Sequence, residues 1–153
     1  MAPIVHEGEL SAPDVQALIA AHVESMRASS PPDACHVLPG SALDHPSITF
    51  FTAREGADLL GMAALKELSP TLGEVKSMRT APNALGRGVG QLLLSHMLAV
   101  ARQRGYRALC LETGSTPEFA AALRLYERAG FQPSSPFGGY PATPFTRFMR
   151  LEL

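Results

Sequence analysis

Several absences narrow this sequence before any motif is read. No apolar run approaches the roughly 18 residues that a membrane-spanning helix requires, so no membrane partner is expected. The start, Met1-Ala2-Pro3-Ile4-Val5-His6-Glu7, has no basic segment leading into an apolar one, and a secretory leader is not expected. Cysteine is scarce: Cys35 and Cys110 are too few for a disulfide framework and have no metal-type spacing. Reduced thiols in a cytoplasmic protein are the plain reading. His6, His45 and His96 are too scattered to suggest a metal site, and none is expected. Excess charge of one sign is missing as well. A formal net charge of −1 gives no global field that would gather nucleic acid, so no nucleic-acid partner is expected.

What remains is a chain of 153 residues, 46% hydrophobic, with no internal repeat. That is enough for one ordinary domain with a real core, and residues 1–153 are expected to form it. The stretch from Pro3 to Gly8 reads as a short strand. Ser11 and Asp14 suggest a capping box with Pro13 in the first turn, and Val15, Leu18, Ile19, Val23 and Met26 continue at helical spacing to about Ser29. Ser30-Pro31-Pro32 stops that helix. Ile48 to Arg54 and Leu59 to Leu68 flank Glu55-Gly56 and predict a β-hairpin, followed by a strand from about Gly73 to Thr80. Val89 to about Arg104 reads as a helix ended by Gly105, Ala108 to Thr113 as a strand, and Phe119 to Ala129 as a helix ended by Gly130. Thr146 to Leu153 alternates as a closing strand. The class is mixed α/β with an antiparallel front half.

The most informative segment is Leu85-Gly86-Arg87-Gly88-Val89-Gly90, placed after a strand and opening a helix. Glycines there let the backbone approach a ligand closely, and the first amides of a helix have no partners within it. With the helix dipole, they make a cradle for a diphosphate. Arg87 adds a candidate charge-assisted contact. The segment is not a P-loop, because Gln91 and Leu92 follow Gly90 where Lys-Ser/Thr would be needed. It also lacks the Gly-x-Gly-x-x-Gly spacing of a dinucleotide fingerprint.

This turn resembles the Arg/Gln-x-x-Gly-x-Gly/Ala pattern of the GNAT superfamily of acetyl-CoA-dependent N-acetyltransferases. Gly88 and Gly90 match its glycines, and Leu85 stands where the pattern has Arg or Gln. Downstream, Ala122-Leu123-Arg124-Leu125-Tyr126-Glu127-Arg128-Ala129-Gly130-Phe131 is similar to the superfamily's Ala-x-x-Leu-Tyr-x-x-x-Gly-Phe helix. Phe119 replaces an Asn often found three residues earlier. The likeness runs from about residue 47 to 131. A narrower one, to the YsnE-type bacterial acetyltransferases, is carried by His22-x-x-x-Met26-Arg27, Ser30-Pro31-Pro32, the stretch from Gly73 to Thr80 and Leu111-Glu112-Thr113-Gly114-Ser115.

The resemblance implies a mostly antiparallel twisted sheet of six to seven strands with about four helices, splayed between the fourth and fifth strands. It implies acetyl-CoA as co-substrate. Met78, Arg79 and Thr80 would pair with the pantetheine arm, and Leu85, Gly86, Arg87, Gly88, Val89, Gly90 and Gln91 would hold the diphosphate. A homodimer is implied by the same likeness.

Acetyl transfer to an amine needs a neutral amine, a donor to the developing oxyanion and a proton for the leaving thiolate. By the resemblance, Tyr126 takes the last role. Spacing alone would make it a core aromatic with Leu123 and Phe119. Glu74, eleven residues before Leu85, resembles the glutamate base of histone-acetylating members, and an ion pair with Lys76 is the equal alternative. Glu112 is the rival base, with a structural role as acceptor for the backbone amides of Thr113-Gly114-Ser115 as the equal alternative. Arg27, Lys76, Arg79 and Arg147 lie on elements that border the acceptor in this family, and two of them converging would suit a carboxylate-bearing amine. His36, with Phe137 and Tyr140 from a late apolar loop, is expected to form one wall. His22 is expected to be a packed or partly exposed histidine. Three functions stay open: a transferase for a small amine, a non-catalytic acyl-CoA sensor, and an enzyme acetylating protein N-termini or lysines.

Overall fold

The computed structural model describes residues 2–153. In chain order the elements are β1 (Ile4–Glu7), α1 (Pro13–Ser29), α2 (Gly40–Leu43), β2 (Ile48–Glu55), β3 (Asp58–Ser69), β4 (Leu72–Thr80), α3 (Val89–Gln103), β5 (Ala108–Gly114), α4 (Ala120–Ala129), β6 (Gln132–Pro133) and β7 (Thr146–Glu152). The seven strands form one sheet in the order β1-β2-β3-β4-β5-β7-β6, and every neighbouring pair is antiparallel except β4 with β5. This is the expected mixed α/β fold.

Strand β3 is buried from Leu60 to Leu65 because helices cover both faces of the sheet. Met62 and Ala64 pack with Val15, Leu18 and Ile19 of α1, while Ala63 and Leu65 pack with Leu93, Leu94 and Met97 of α3. A strand buried on both sides reads as a continuous apolar run rather than an alternating one, and Leu59-Leu60-Gly61-Met62-Ala63-Ala64-Leu65 is such a run. Gly61 sits at a close approach of three elements. A β-carbon there would fall 2.9 Å from the Arg79 carbonyl oxygen and 2.8 Å from Val89 Cγ1. Gly61→Ala is expected to lower stability by about 1–3 kcal/mol. The change would be read as a lower urea midpoint with an unchanged slope.

Two irregularities in β4 shape the site. Its parallel pairing with β5 spans only Leu72–Glu74 against Ala108–Cys110, and beyond that the two strands separate. On its other edge the register against β3 slips: Lys76 pairs with Ala64 and Arg79 with Met62, so that both Ser77 and Met78 stand opposite Ala63. Ser77 takes the extra step at φ 54°. The bulge re-aims side chains, as bulges near sites do. Lys76 and Arg79 share the α1 face, whereas Met78 packs against the core under α3 and α4.

The α1 start differs from expectation. Its N-cap is Ala12, and no side chain caps the helix. Asp14 is taken by Arg54 instead, whose Nη1 and Nη2 donate to the two carboxylate oxygens at 2.7 and 2.9 Å. A bidentate guanidinium outcompetes a local backbone amide. It holds the exposed Asp14 carboxyl below its ordinary range, chiefly through those hydrogen bonds. Helix α2 and the single 3-10 turns at Pro32–Ala34, Pro82–Ala84 and Pro117–Phe119 are additions to the sequence reading. Each of those three turns carries proline at its start, where the ring's fixed φ suits a first helical position as well as a break.

Candidate active site

Where β4 and β5 part, a cavity of about 400 Å³ opens. On one face of the sheet it is walled by His22 and Met26 of α1 and by Cys35 and His36 of the following loop. On the other it is walled by Gly90 and Leu93 of α3 and by Ala122 and Tyr126 of α4. Glu74 to Thr80 of β4 and Glu112 to Gly114 of β5 line it between the two faces. The missing strand pairing therefore makes a passage through the sheet.

The α3 end of that passage carries the glycine turn. Gly88 caps the helix at φ 78°, a left-handed conformation that a residue with a side chain rarely adopts, and no side chain caps the first turn. The first helical bond runs from Leu92 N–H to the Gly88 carbonyl at 3.0 Å. The amides of Val89, Gly90 and Gln91 have no backbone acceptor among the described residues. Open space surrounds the position of any β-carbon at Gly86 and Gly88, while one at Gly90 would meet Leu125 at 3.1 Å. Gly86, Arg87, Gly88, Val89 and Gln91 lie on the turn outside the cavity itself, whereas Leu85, 68% exposed, stands at its mouth. Arg87, the candidate charge-assisted contact, donates to Glu55 at 3.0 Å on the β2–β3 hairpin. An exposed pair of this kind is weak and exchangeable.

Tyr126 sits deeper, 7% exposed, edge-on to Phe131, with its hydroxyl 3.7 Å from the Met78 sulfur. Burial pushes its phenol up to about 12, so it carries its proton at neutral pH and can donate it. Helical spacing buries Tyr126 with the core, and the strand separation leaves it on the cavity wall.

On the α1 face, Glu74 is fully buried and ion-paired, with Lys76 Nζ at 3.2 Å from Oε2. Lys76 also donates to the Tyr140 hydroxyl at 2.9 Å, and that hydroxyl lies 3.4 Å from Glu74 Oε1. Burial, with Glu74 beside it, raises the Tyr140 phenol well above its ordinary value. The three residues come together: His36 stacks on Tyr140 with centroids 4.6 Å apart, and Phe137 meets Tyr140 edge-on at 5.6 Å. Phe137 and Tyr140 back the His36 ring rather than lining the cavity. His36 Nδ1 lies 2.9 Å from both oxygens of Glu112. Burial raises the Glu112 carboxyl, and the hydrogen bond from His36 opposes that shift.

Of the four cations expected near an acceptor, the structure brings Lys76 and Arg79 to the cavity and leaves Arg27 and Arg147 out. Arg27 follows Met26, which faces the cavity, and one residue turns a helix by about 100°, so Arg27 is exposed. Arg147 is exposed on β7. Arg79 is half-buried, and its Nε–H donates to His22 Nδ1 at 2.9 Å. It forms no ion pair among the described residues. Cys110 is buried core and Cys35 is a free thiol on the cavity wall. No metal-binding cluster exists among the described residues.

His22 is packed, as expected, and what the sequence did not show is its place on the cavity wall beside Arg79. It falls three positions after Ile19 and four after Leu18, both buried, so the α1 pattern already pointed it inward. Burial first, then the Arg79 charge, lowers it to about 4. The folded protein keeps His22 neutral, whereas the unfolded chain protonates it below about pH 6.5. Stability should therefore fall as pH drops from that value toward 4, with His22 contributing about 3 kcal/mol of the loss. Urea midpoints of wild type and His22→Gln across this range check it, the variant lacking that part of the slope.

The sheet splayed between β4 and β5, with an amide-rich turn opening α3 beside it, is the arrangement that the resemblance to acyl-CoA-dependent transferases implied. The chain belongs to the acetyltransferase (GNAT) family, whose model matches residues 15–131. It is 46% identical over 145 residues to the N-acetyltransferase YedL of Escherichia coli, covering 95% of this chain and 91% of that one. It is 43% identical over 145 residues to the N-acetyltransferase YsnE of Bacillus subtilis, covering 95% and 96%. A solved acyl-CoA N-acyltransferase structure from Klebsiella pneumoniae superposes with a TM-score of 0.79 at 28% identity, over 99% of this chain and 97% of that one. The chain is thus an N-acetyltransferase by family. Among the described residues no helix is long and apolar enough to cross a membrane.

Proposed function

We propose that this protein transfers an acetyl group from acetyl-CoA directly to the primary amine of a small, carboxylate-bearing molecule. The observation that carries the reading is the passage through the sheet, with unpartnered helix amides at one end and an uncompensated arginine at the other. Its volume of about 400 Å³ lies within the range of small-molecule sites. Bound acetyl-CoA supplies an activated acyl carbon on a thioester. The chain's part is to hold and to move protons. The amides of Val89, Gly90 and Gln91 hold the diphosphate, and the backbone of Met78 to Thr80 aligns the pantetheine arm and offers an N–H to the developing oxyanion. Tyr126 donates its hydroxyl proton toward the sulfur. Arg79, steadied by His22, takes the acceptor's carboxylate. The two free cysteines support a reducing, cytoplasmic setting.

The test is calorimetry with acetyl-CoA followed by thiol release with a panel of amines. Saturable binding and turnover with a carboxylate-bearing amine are expected. Binding without turnover across the panel would mark an acyl-CoA sensor, and no binding at all would remove the transferase reading.

A further inference from the structure

Of the three carboxylates that line the cavity, Glu118 is exposed, and the other two, Glu74 and Glu112, differ in what already holds them. Glu74 has no exposed surface, and its oxygens are engaged by the Lys76 ammonium and the Tyr140 hydroxyl. Removing it would strand a buried lysine charge, which is the behaviour of a structural pair. Glu112 is engaged differently: both its oxygens lie 2.9 Å from His36 Nδ1. A carboxylate accepts, so the proton between them belongs to Nδ1, and the neutral imidazole carries its lone pair on Nε2. Nε2 has no hydrogen-bond partner among the described residues, and the ring lines the cavity. Its plane is fixed by stacking on Tyr140, whose hydroxyl is in turn held by Lys76. A nitrogen base oriented by a carboxylate through its other ring nitrogen is an arrangement suited to proton abstraction.

We propose that His36 is the base that deprotonates the acceptor amine, with Glu112 as its positioning residue and the Glu74–Lys76–Tyr140 cluster as the fixed wall behind it. This rests on the transferase reading above. An incoming ammonium ion first loses one proton to solvent, the only acid released. His36 Nε2 takes the second proton as the amine nitrogen bonds to the acyl carbon. The carbon–sulfur bond breaks, and the Tyr126 hydroxyl gives its proton to the departing sulfur. His36 returns its proton through solvent to the Tyr126 phenolate, which restores both groups.

One readout does not depend on turnover. Nitrogen-15 imidazole spectra of the free protein at about pH 8 should show His36 protonated on Nδ1 and bare on Nε2. Glu112→Gln, which keeps the side chain's size, should shift the proton toward Nε2 because its amide can donate to Nδ1. That variant should lose about tenfold or more in kcat. His36→Ala should lose about 100-fold in kcat/KM with acetyl-CoA affinity unchanged, and added imidazole should restore part of the rate. A proton found on Nε2 in the wild type, or a folded His36→Ala that keeps its rate, overturns the assignment. If wild type binds acetyl-CoA and turns over while the variants lose nothing, the dyad alone fails. If wild type binds no acetyl-CoA, the transferase reading fails and the base role with it.

Discussion

Tyr126→Phe is expected to slow acetyl transfer by about 10²- to 10⁴-fold, the usual worth of a positioned proton donor, while acetyl-CoA affinity stays close to wild type. The separation of the two effects follows from where the hydroxyl points. Its partner within the protein is the Met78 sulfur at 3.7 Å, a weak acceptor, so removing the oxygen strands no strong hydrogen bond. The ring keeps its edge-on contact with Phe131 and its place in the core, and the melting temperature should barely move. Burial that lifts the phenol to about 12 keeps it protonated through the working pH range, so the base-side limit of a rate profile should not come from Tyr126 near neutrality. The measurement is single-turnover transfer at saturating substrates, where chemistry is isolated from product release. An unchanged rate there would return Tyr126 to the core and leave solvent to protonate the thiolate.

Much of the fold was visible in local pattern, and what was not visible is long-range. The α1, α3 and α4 stripes, the hairpin at Glu55-Gly56 and the glycines after α3 and α4 depend on neighbours within a few residues, and all appear where expected. The capping box at Ser11 and Asp14 was a local pattern too, but its carboxylate is claimed by Arg54, forty residues away. The His36–Glu112 pair joins residues 76 apart, and neither flank hints at the other. The same holds for Arg79 and His22, 57 apart. Side-chain pairing across a sheet is set by register, and here the bulge at Ser77 decides which face Lys76, Met78 and Arg79 share. A period-two reading of β4 puts Glu74, Lys76 and Met78 on one face. The extra residue sends Met78 to the other face and brings Arg79 to the α1 side. The glycine turn was legible because its chemistry lies in its own backbone.

The bulge also makes Arg79 the sharpest test of acceptor chemistry. Its guanidinium is half-buried without a carboxylate partner, and burial lowers its affinity for a proton, a cost that a bound anion would offset. Arg79→Gln should therefore reduce kcat/KM for a carboxylate-bearing amine by about 10- to 100-fold, the worth of a charge-assisted bond, with most of the loss in KM. The same substitution should leave an analogue lacking the carboxylate nearly unaffected, so that the preference between the two collapses toward unity. Arg79→Lys should recover little, because an ammonium cannot donate to His22 and still present a fork to the ligand. His22→Gln should recover more than His22→Leu, since the glutamine oxygen can still accept from Arg79 Nε and hold the guanidinium in place. Equal losses for the acid and its neutral analogue would mean that Arg79 serves the shape of β4, and the carboxylate would have to be dropped from the acceptor's description.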